Sequence, residues 1–144
     1  MPYCDLNDLL NASSERDLIQ LTDDDRSGAI DETVISEMIE KADALIDGYV
    51  GSRYSLPLDP APELINSISV DITIFNLYKR RSRLNKEIIE SFKIAERQLE
   101  RIQAGRITLP GAAEIGGDNY GTGEVRVNKT PDDRIFPRSE LDKW

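Results

Sequence analysis

The segment from Ile30 to Gly51 most constrains the fold, because its apolar residues recur at the spacing of an α-helix. These apolar positions are Val34, Ile35, Met38, Ile39, Ala42, Leu45, Ile46, Tyr49 and Val50. Asp31 is placed to cap the helix, and Ile30 and Ile35 to form a hydrophobic staple. Gly51 is expected to end it in a left-handed conformation. The pattern predicts a long helix with one buried face.

Two short helices are predicted before this segment, and two long helices after it. Asp5 fits the N-cap of the first short helix, and Ser13 or Ser14 fits that of the second. Asn85 fits the N-cap of the last long helix, which Gly105 ends. The apolar stripe of this last helix consists of Ile88, Ile89, Phe92, Ala95, Leu99 and Ile102.

Residues 64–78 fit two secondary structures. A strand would use the alternating residues Ile68, Val70, Ile72 and Ile74. A helix would use Leu64, Ile65, Ile68, Ile72, Phe75 and Tyr78. We predict a helix, because the segment is long and Pro62 suits a first turn. Its surplus of apolar positions makes it the central helix, and the prolines before it predict a stiff, extended connector over residues 56–61.

The predicted fold is mainly α, a bundle of about five helices over residues 1–109 followed by a flexible arm over residues 110–144. Five glycines between Gly111 and Gly123 favour this mobility. Residues 124–127 carry a short strand signal, so the arm is expected to contain a short strand or hairpin. Its apolar residues form a candidate interface, namely Val125, Val127, Ile135 and Phe136. One helical core is expected to contain Ile35, Ile39, Ile46, Ile72, Phe92 and Leu99.

Charge is unevenly distributed along the chain. The 144 residues carry a net charge of −9, which argues against a general nucleic-acid binder. Residues 1–62 contain 4 basic and 14 acidic residues, whereas residues 63–109 contain 9 basic and 6 acidic residues. An acidic half and a mildly basic half can attract copies of a chain head to tail, although the charge can also serve solubility alone.

Enzymatic chemistry finds little support in the residue types. Histidine is absent and Cys4 is the single cysteine, so there is no imidazole base, internal disulfide or Cys/His zinc site. We therefore predict no catalytic, cofactor-binding or metal-binding residues and expect a protein that is not an enzyme. Polar residues interrupt the most apolar segment before the ~18 residues that a membrane span needs. The chain is expected to be soluble and cytoplasmic when made.

The segment from Asp23 to Asp31 partly matches a calcium-binding loop. Oxygen-bearing residues occupy positions one, three, five and nine, and Gly28 occupies position six. Position twelve is Val34, which belongs to the apolar stripe, where such a loop requires a bidentate glutamate. We therefore favour a structural turn.

Two other clusters are candidate binding residues. The basic residues Lys79, Arg80, Arg81 and Arg83 are candidate phosphate contacts, with Lys86 nearby. The alternative is that these cations stabilise the end of a helix. Near Gly51, the candidate interface residues are Tyr49, Arg53 and Tyr54, which could equally be packing and hydrogen-bonding groups.

Several segments together carry a family resemblance. They are the helical segment above, CDLNDLL (4–10), SERDLIQLTD (14–23), PAPELI (60–65) and, more loosely, DRIFPRSEL (133–141). The chain resembles the Mu-like phage virion proteins that act at the head–tail junction. The resemblance also favours a helix over residues 64–78.

The resemblance implies a structural virion protein, a head–tail adaptor or head-completion protein that forms a homo-oligomeric ring at the portal–tail junction. Its partners would be itself, portal and tail proteins, with DNA only passing through the ring and no membrane or cofactor. It would be found in the virion, and in the host cytoplasm during assembly. The alternative is a small non-enzymatic binding protein that uses Lys79 to Lys86 for DNA or Asp23 to Asp31 for calcium.

Overall fold

The computed structural model describes residues 2–115. Five helices occur in this range, α1 (Leu6–Ala12), α2 (Glu15–Thr22), α3 (Glu32–Val50), α4 (Glu63–Arg80) and α5 (Lys86–Gln103). The predicted mainly α fold, with two short and three long helices, is confirmed, and residues 64–78 are helical. The predicted strand and the interface residues Val125, Val127, Ile135 and Phe136 lie outside the described residues.

Side-chain caps fix where four of the helices begin. Asp5 caps α1 in a reciprocal capping box, and Ser14 caps α2. The carboxylate of Asp31 accepts hydrogen bonds from two backbone N–H groups of α3, and Asn85 accepts one from α5. α4 starts after Pro62 without a side-chain cap. These short-range hydrogen bonds satisfy N–H groups that the first turn leaves free.

Gly51 corrects one prediction, because its φ is −65° and its conformation is right-handed. The chain continues α3 into a further turn, in which the N–H groups of Arg53 and Tyr54 both donate to the carbonyl of Val50. A left-handed glycine does follow α5, since Gly105 has a φ of 82°. A Cβ atom there would lie 3.0 Å from Cζ of Arg53, so glycine also allows this guanidinium to approach.

α4 is the central helix, and it contacts all four other helices. The core around it consists of two clusters. The first joins α3, α4 and α5 and contains Tyr3, Ala42, Ile46, Val50, Tyr54, Leu58, Ile65, Ile68, Ile72, Ala95, Leu99, Ile102 and Leu109. The second joins the short helices to α3 and α4 and contains Cys4, Leu9, Leu18, Leu21, Val34, Ile35, Met38, Ile39, Val70 and Leu77.

The expectation of one shared core is therefore wrong. Ile35 and Ile39 belong to the second cluster, whereas Ile46, Ile72 and Leu99 belong to the first. The reason is length, because the 19 residues of α3 span ~28 Å, enough to pack different partners at each end. The sixth residue, Phe92, is half-buried at the edge of the first cluster and stacks on Phe75 with ring centroids 4.0 Å apart.

The connector between α3 and α4 bends at residues 56–57 and again at residues 59–60, so it departs from the predicted extended form. Leu58 lies between the bends with its side chain buried in the first cluster, whereas Leu56 is exposed. Burial of Leu58 draws the connector onto the helices. The compact helical unit extends to Ala112, and the predicted boundary after Leu109 stays a prediction.

Candidate interaction surfaces

Local donors occupy two carboxylates of the calcium-like turn, those of Asp23 and Asp31. One oxygen of Asp23 accepts from the N–H and hydroxyl of Ser27 at 2.8 and 3.1 Å, and the other accepts from the N–H of Gly28 at 2.8 Å. The N–H bonds from Gly28 and Ser27 lower the pKa of Asp23. Asp31 caps α3. Across residues 2–115, no three His, Cys, Asp or Glu side chains are grouped so that they could hold a metal ion.

We expect calcium to bind this turn no more tightly than about millimolar, the range of weak loops of this type. Asp23 would have to give up its turn hydrogen bonds, and Val34 offers no ligand. Isothermal titration of the full chain with calcium would test this, with Asp25→Ala as the comparison. A micromolar site that disappears in Asp25→Ala would contradict the structural turn.

The two central arginines of the basic cluster connect the C-terminal end of α4 to the C-terminal end of α2. Arg80 donates to the carbonyl of Leu21 at 3.1 Å, and Nε of Arg81 donates to the same oxygen at 3.2 Å. Both guanidinium groups also pair with the carboxylate of Asp24. The hydrogen bond from Arg80 is the main reason that the pKa of Asp24 is lowered. Cations here face the negative end of α2, where the helix dipole favours them.

The other two candidate phosphate contacts, Lys79 and Arg83, are exposed, as is Lys86. The basic cluster is thus divided into two structural arginines and a few cations that face solvent. The alternative that the sequence left open, stabilisation of a helix end, describes Arg80 and Arg81.

The candidate interface residues near Gly51 connect α3 to α5 and its C-terminal extension. Tyr54 is only 1 % exposed, and its hydroxyl accepts from the N–H of Leu109 at 3.0 Å. The half-buried hydroxyl of Tyr49 lies 3.5 Å from a carboxylate oxygen of Glu96. Burial, and then the negative charge of Glu96, raise the pKa of Tyr49. Tyr54 is therefore a packing residue inside the subunit.

A polar network that the sequence analysis missed holds the N-terminal segment against α3 and α4. The hydroxyl of Tyr3 donates to Asp47 at 2.5 Å, and its N–H donates to Asp43. Its carbonyl accepts from the side chain of Asn66 at 2.8 Å. Ser69 donates to Asp43 at 3.2 Å. The available sequence signal was three small polar residues at positions 66, 69 and 73, on one face of an otherwise apolar helix.

Burial determines the protonation of this network. It is the largest cause that raises the pKa of Asp43 and of the Cys4 thiol, whose sulfur lies 3.3 Å from the hydroxyl of Ser69. It also raises the pKa of Tyr3 to about 12, together with the hydrogen bond to Asp47. The neutral phenol is therefore the form that this site favours.

An open groove of about 550 Å³ lies between the N-terminal segment and α3. Its apolar lining includes Leu6, Ile35 and Ile39. Its charged residues are all acidic, namely Asp5, Glu32, Glu40, Asp43 and Asp47. We call this surface the acidic groove.

The outer face of α5 has the opposite character. Ile94 is 51 % exposed, and Arg97 and Arg101 follow it on the same face of the helix at i+3 and i+7. Arg106 lies with these arginines around a shallow depression that also includes Glu100. Within residues 2–115, none of the three arginines forms an ion pair. We call Ile94, Arg97, Arg101 and Arg106 the arginine stripe.

Comparison with known proteins identifies the family. A family model described as Bacteriophage Mu, Gp36 matches residues 3–128, which include all five helices. The chain belongs to the Gp36 family. This Gp36 protein is 28% identical over 142 residues to Gene product J of Escherichia phage Mu, an alignment that covers 97% of each chain. It is also 31% identical over 81 residues to the Mu-like prophage FluMu protein gp36 of Haemophilus influenzae, covering 56% of each chain.

The family assignment confirms the predicted relationship to Mu-like phages. The matched residues include the arginine stripe, the contacts between α4 and α2, and every residue of the acidic groove except Pro2. In the part of this Gp36 protein that the structure describes, no helix has the length and apolarity to cross a membrane.

Proposed function

We propose that this Gp36 protein is a structural virion component, a head–tail adaptor or head-completion protein that forms a ring where the portal meets the tail. The observation that carries the proposal is the similarity to Gene product J of phage Mu over nearly the whole of both chains. A match of that extent favours the same role for the two proteins in their phages. The protein would act by binding and ordering its neighbours, without catalysis or a cofactor.

The distribution of polar groups supports a binding role. Several polar side chains already serve the subunit's own fold, since Asp23 holds a turn, Asp31 caps a helix, and Asp24 pairs with two arginines. The charged surfaces left exposed include a groove of one sign and a stripe mostly of the other. Such complementary surfaces suit association with other protein subunits.

The proposed partners are further copies of the chain, the portal and the tail proteins. DNA would pass through the ring, where the exposed Lys79 and Arg83 would be the cations available to phosphate groups. The contacts of Arg80 and Arg81 weigh against a dedicated DNA-binding protein, because half of the candidate phosphate contacts are already bound within the subunit. The apolar residues of the arm remain predicted contacts with a neighbour.

Disruption of the gene in a phage or inducible prophage that carries it would test this function. We expect DNA-filled heads and separate tails but almost no joined particles, because the ring would be missing from the junction. Electron microscopy of lysates would count each class, and the wild-type gene supplied in trans should restore joined particles. Joined, infectious particles at the normal yield would contradict the proposal.

A further inference from the structure

We propose that the acidic groove of one copy receives the arginine stripe of a second copy. This inference rests on the proposed function, because a ring needs a contact that repeats from one subunit to the next. The two surfaces that meet would be the acidic groove and the arginine stripe, and their oppositely charged residues would recognise each other.

The groove has the chemistry of a site for an apolar side chain flanked by cations. Half-buried Leu6 and the buried Ile35 and Ile39 form its apolar floor. Glu32 and Glu40 are exposed on its rim. Among residues 2–115, no Lys or Arg lines the groove. Burial raises the pKa of Asp43 in its wall, so further burial of this carboxylate by an uncharged partner would be unfavourable and burial by a cation would be favourable.

The stripe has the complementary arrangement. Ile94 projects an apolar side chain, and Arg97 and Arg101 flank it toward the C-terminal end of α5. Ile94 to Arg101 spans ~10 Å along the helix, whereas Glu32 to Asp47 on α3 spans ~22 Å. The stripe therefore fits lengthwise within the groove, with room for Arg106 beyond it.

The two surfaces face different directions on one subunit. The N-terminal segment contacts one flank of α3 through Asp43 and Asp47, and α5 contacts the other flank through Tyr49. Ile94 points away from the core, since it is 51 % exposed whereas Ala95 and Leu99 on the inner face of α5 are fully buried. Groove and stripe therefore cannot pair within a subunit. A contact between unlike surfaces of two copies is heterologous, and it closes into a ring when the rotation between copies allows it.

Cysteine cross-linking of the full chain would test the pairing. Ser36 lies in the groove and is exposed, so a Ser36→Cys chain mixed with an Ile94→Cys chain should give the mixed disulfide dimer on mild oxidation. The control replaces Ser36→Cys with Lys41→Cys, at an exposed residue of α3 outside the groove. We expect the mixed dimer to exceed the control by about tenfold at low salt, roughly the effect of two exposed ion pairs.

Charge reversal separates recognition from chance collision. Glu40→Lys in the groove chain, or Arg97→Glu with Arg101→Glu in the stripe chain, should each reduce the mixed dimer to the control level. Combining the reversed groove with the reversed stripe should restore it, and high salt should weaken the wild-type pairing. The proposal is overturned if reversal leaves the yield unchanged, or if the control pair cross-links equally well.

The outcome separates this proposal from the function on which it rests. Cross-linking uses the purified chain and needs no phage particle. If the two surfaces cross-link specifically but disruption of the gene still gives normal particles, the contact is supported and the role at the head–tail junction is contradicted. If disruption of the gene gives separate heads and tails but the two surfaces do not cross-link specifically, the role at the junction is supported and the groove–stripe contact is wrong.

Discussion

Leu99→Ala should lower the free energy of unfolding by about 2–5 kcal/mol, one of the two largest effects that we expect of a single substitution in this protein. Leu99 is fully buried in the cluster that joins α3, α4 and α5. Alanine would remove apolar contacts there and leave a cavity that the surrounding helices only partly fill. Urea denaturation followed by circular dichroism would measure the change, provided that the slope m is the same for both proteins.

Ile94→Ala is the matched control, because Ile94 lies on the same helix but is 51 % exposed. Its free energy of unfolding should stay within about 0.5 kcal/mol of the parent, as for most surface substitutions. Equal losses in the two variants would show that the assignment of the inner and outer faces of α5 is wrong. The stripe would then be part of the core.

Tyr3→Phe should lower the free energy of unfolding by about 1–3 kcal/mol near neutral pH, because it leaves Asp47 and the N–H of Leu58 without a buried partner. The difference in the free energy of unfolding between the parent and Tyr3→Phe should become smaller as pH rises above 10. The folded pKa of about 12 lies above the ordinary value of 10.0, so the unfolded chain releases the phenolic proton first. The stabilising contribution is therefore complete below pH 10 and is lost as pH rises toward 12.

Tyr78→Phe provides the control for this effect. The Tyr78 side chain packs against the second cluster, and its hydroxyl makes no hydrogen bond to any of residues 2–115. Thermal melts of the parent and both variants between pH 7 and 11 would compare them. A gap between parent and Tyr3→Phe that stays constant over this range would show that Tyr3 does not titrate as the network implies.

The sequence predicted the helices well because their signals are local. Asp5, Ser14, Asp31 and Asn85 each bond to N–H groups only a few residues away, so their spacing alone identifies the helix starts. The predicted left-handed conformation of Gly51 was wrong because the chain continues into another right-handed turn after it. The apolar pattern of the helix carries no information about the residues that form this turn. The division of the core was also not predictable, since an apolar stripe does not specify which helix packs against each end.

The candidate sites were harder to predict than the helices, because their contacts join residues far apart in the sequence. Arg80 and Arg81 look like available cations in sequence, but their partners lie at the end of α2 and in the turn after it, about sixty residues earlier. The hydrogen bond between Tyr3 and Asn66 joins residues 63 positions apart, and no short motif reports such a contact. Charge counts did predict an acidic and a basic half. Only the structure shows which of these charged residues lie together in the acidic groove and in the arginine stripe.

The two-cluster core has a consequence for how neighbouring subunits would stabilise each other. The floor of the groove belongs to the cluster under the short helices, because Ile35 and Ile39 are among its residues. The stripe lies on α5, which packs into the other cluster. A groove–stripe contact therefore joins the short-helix end of one subunit to the α5 end of the next. Local opening of the N-terminal segment and α1, which line the groove, would be opposed by α5 of the neighbour, so resistance to local unfolding would depend on a complete ring.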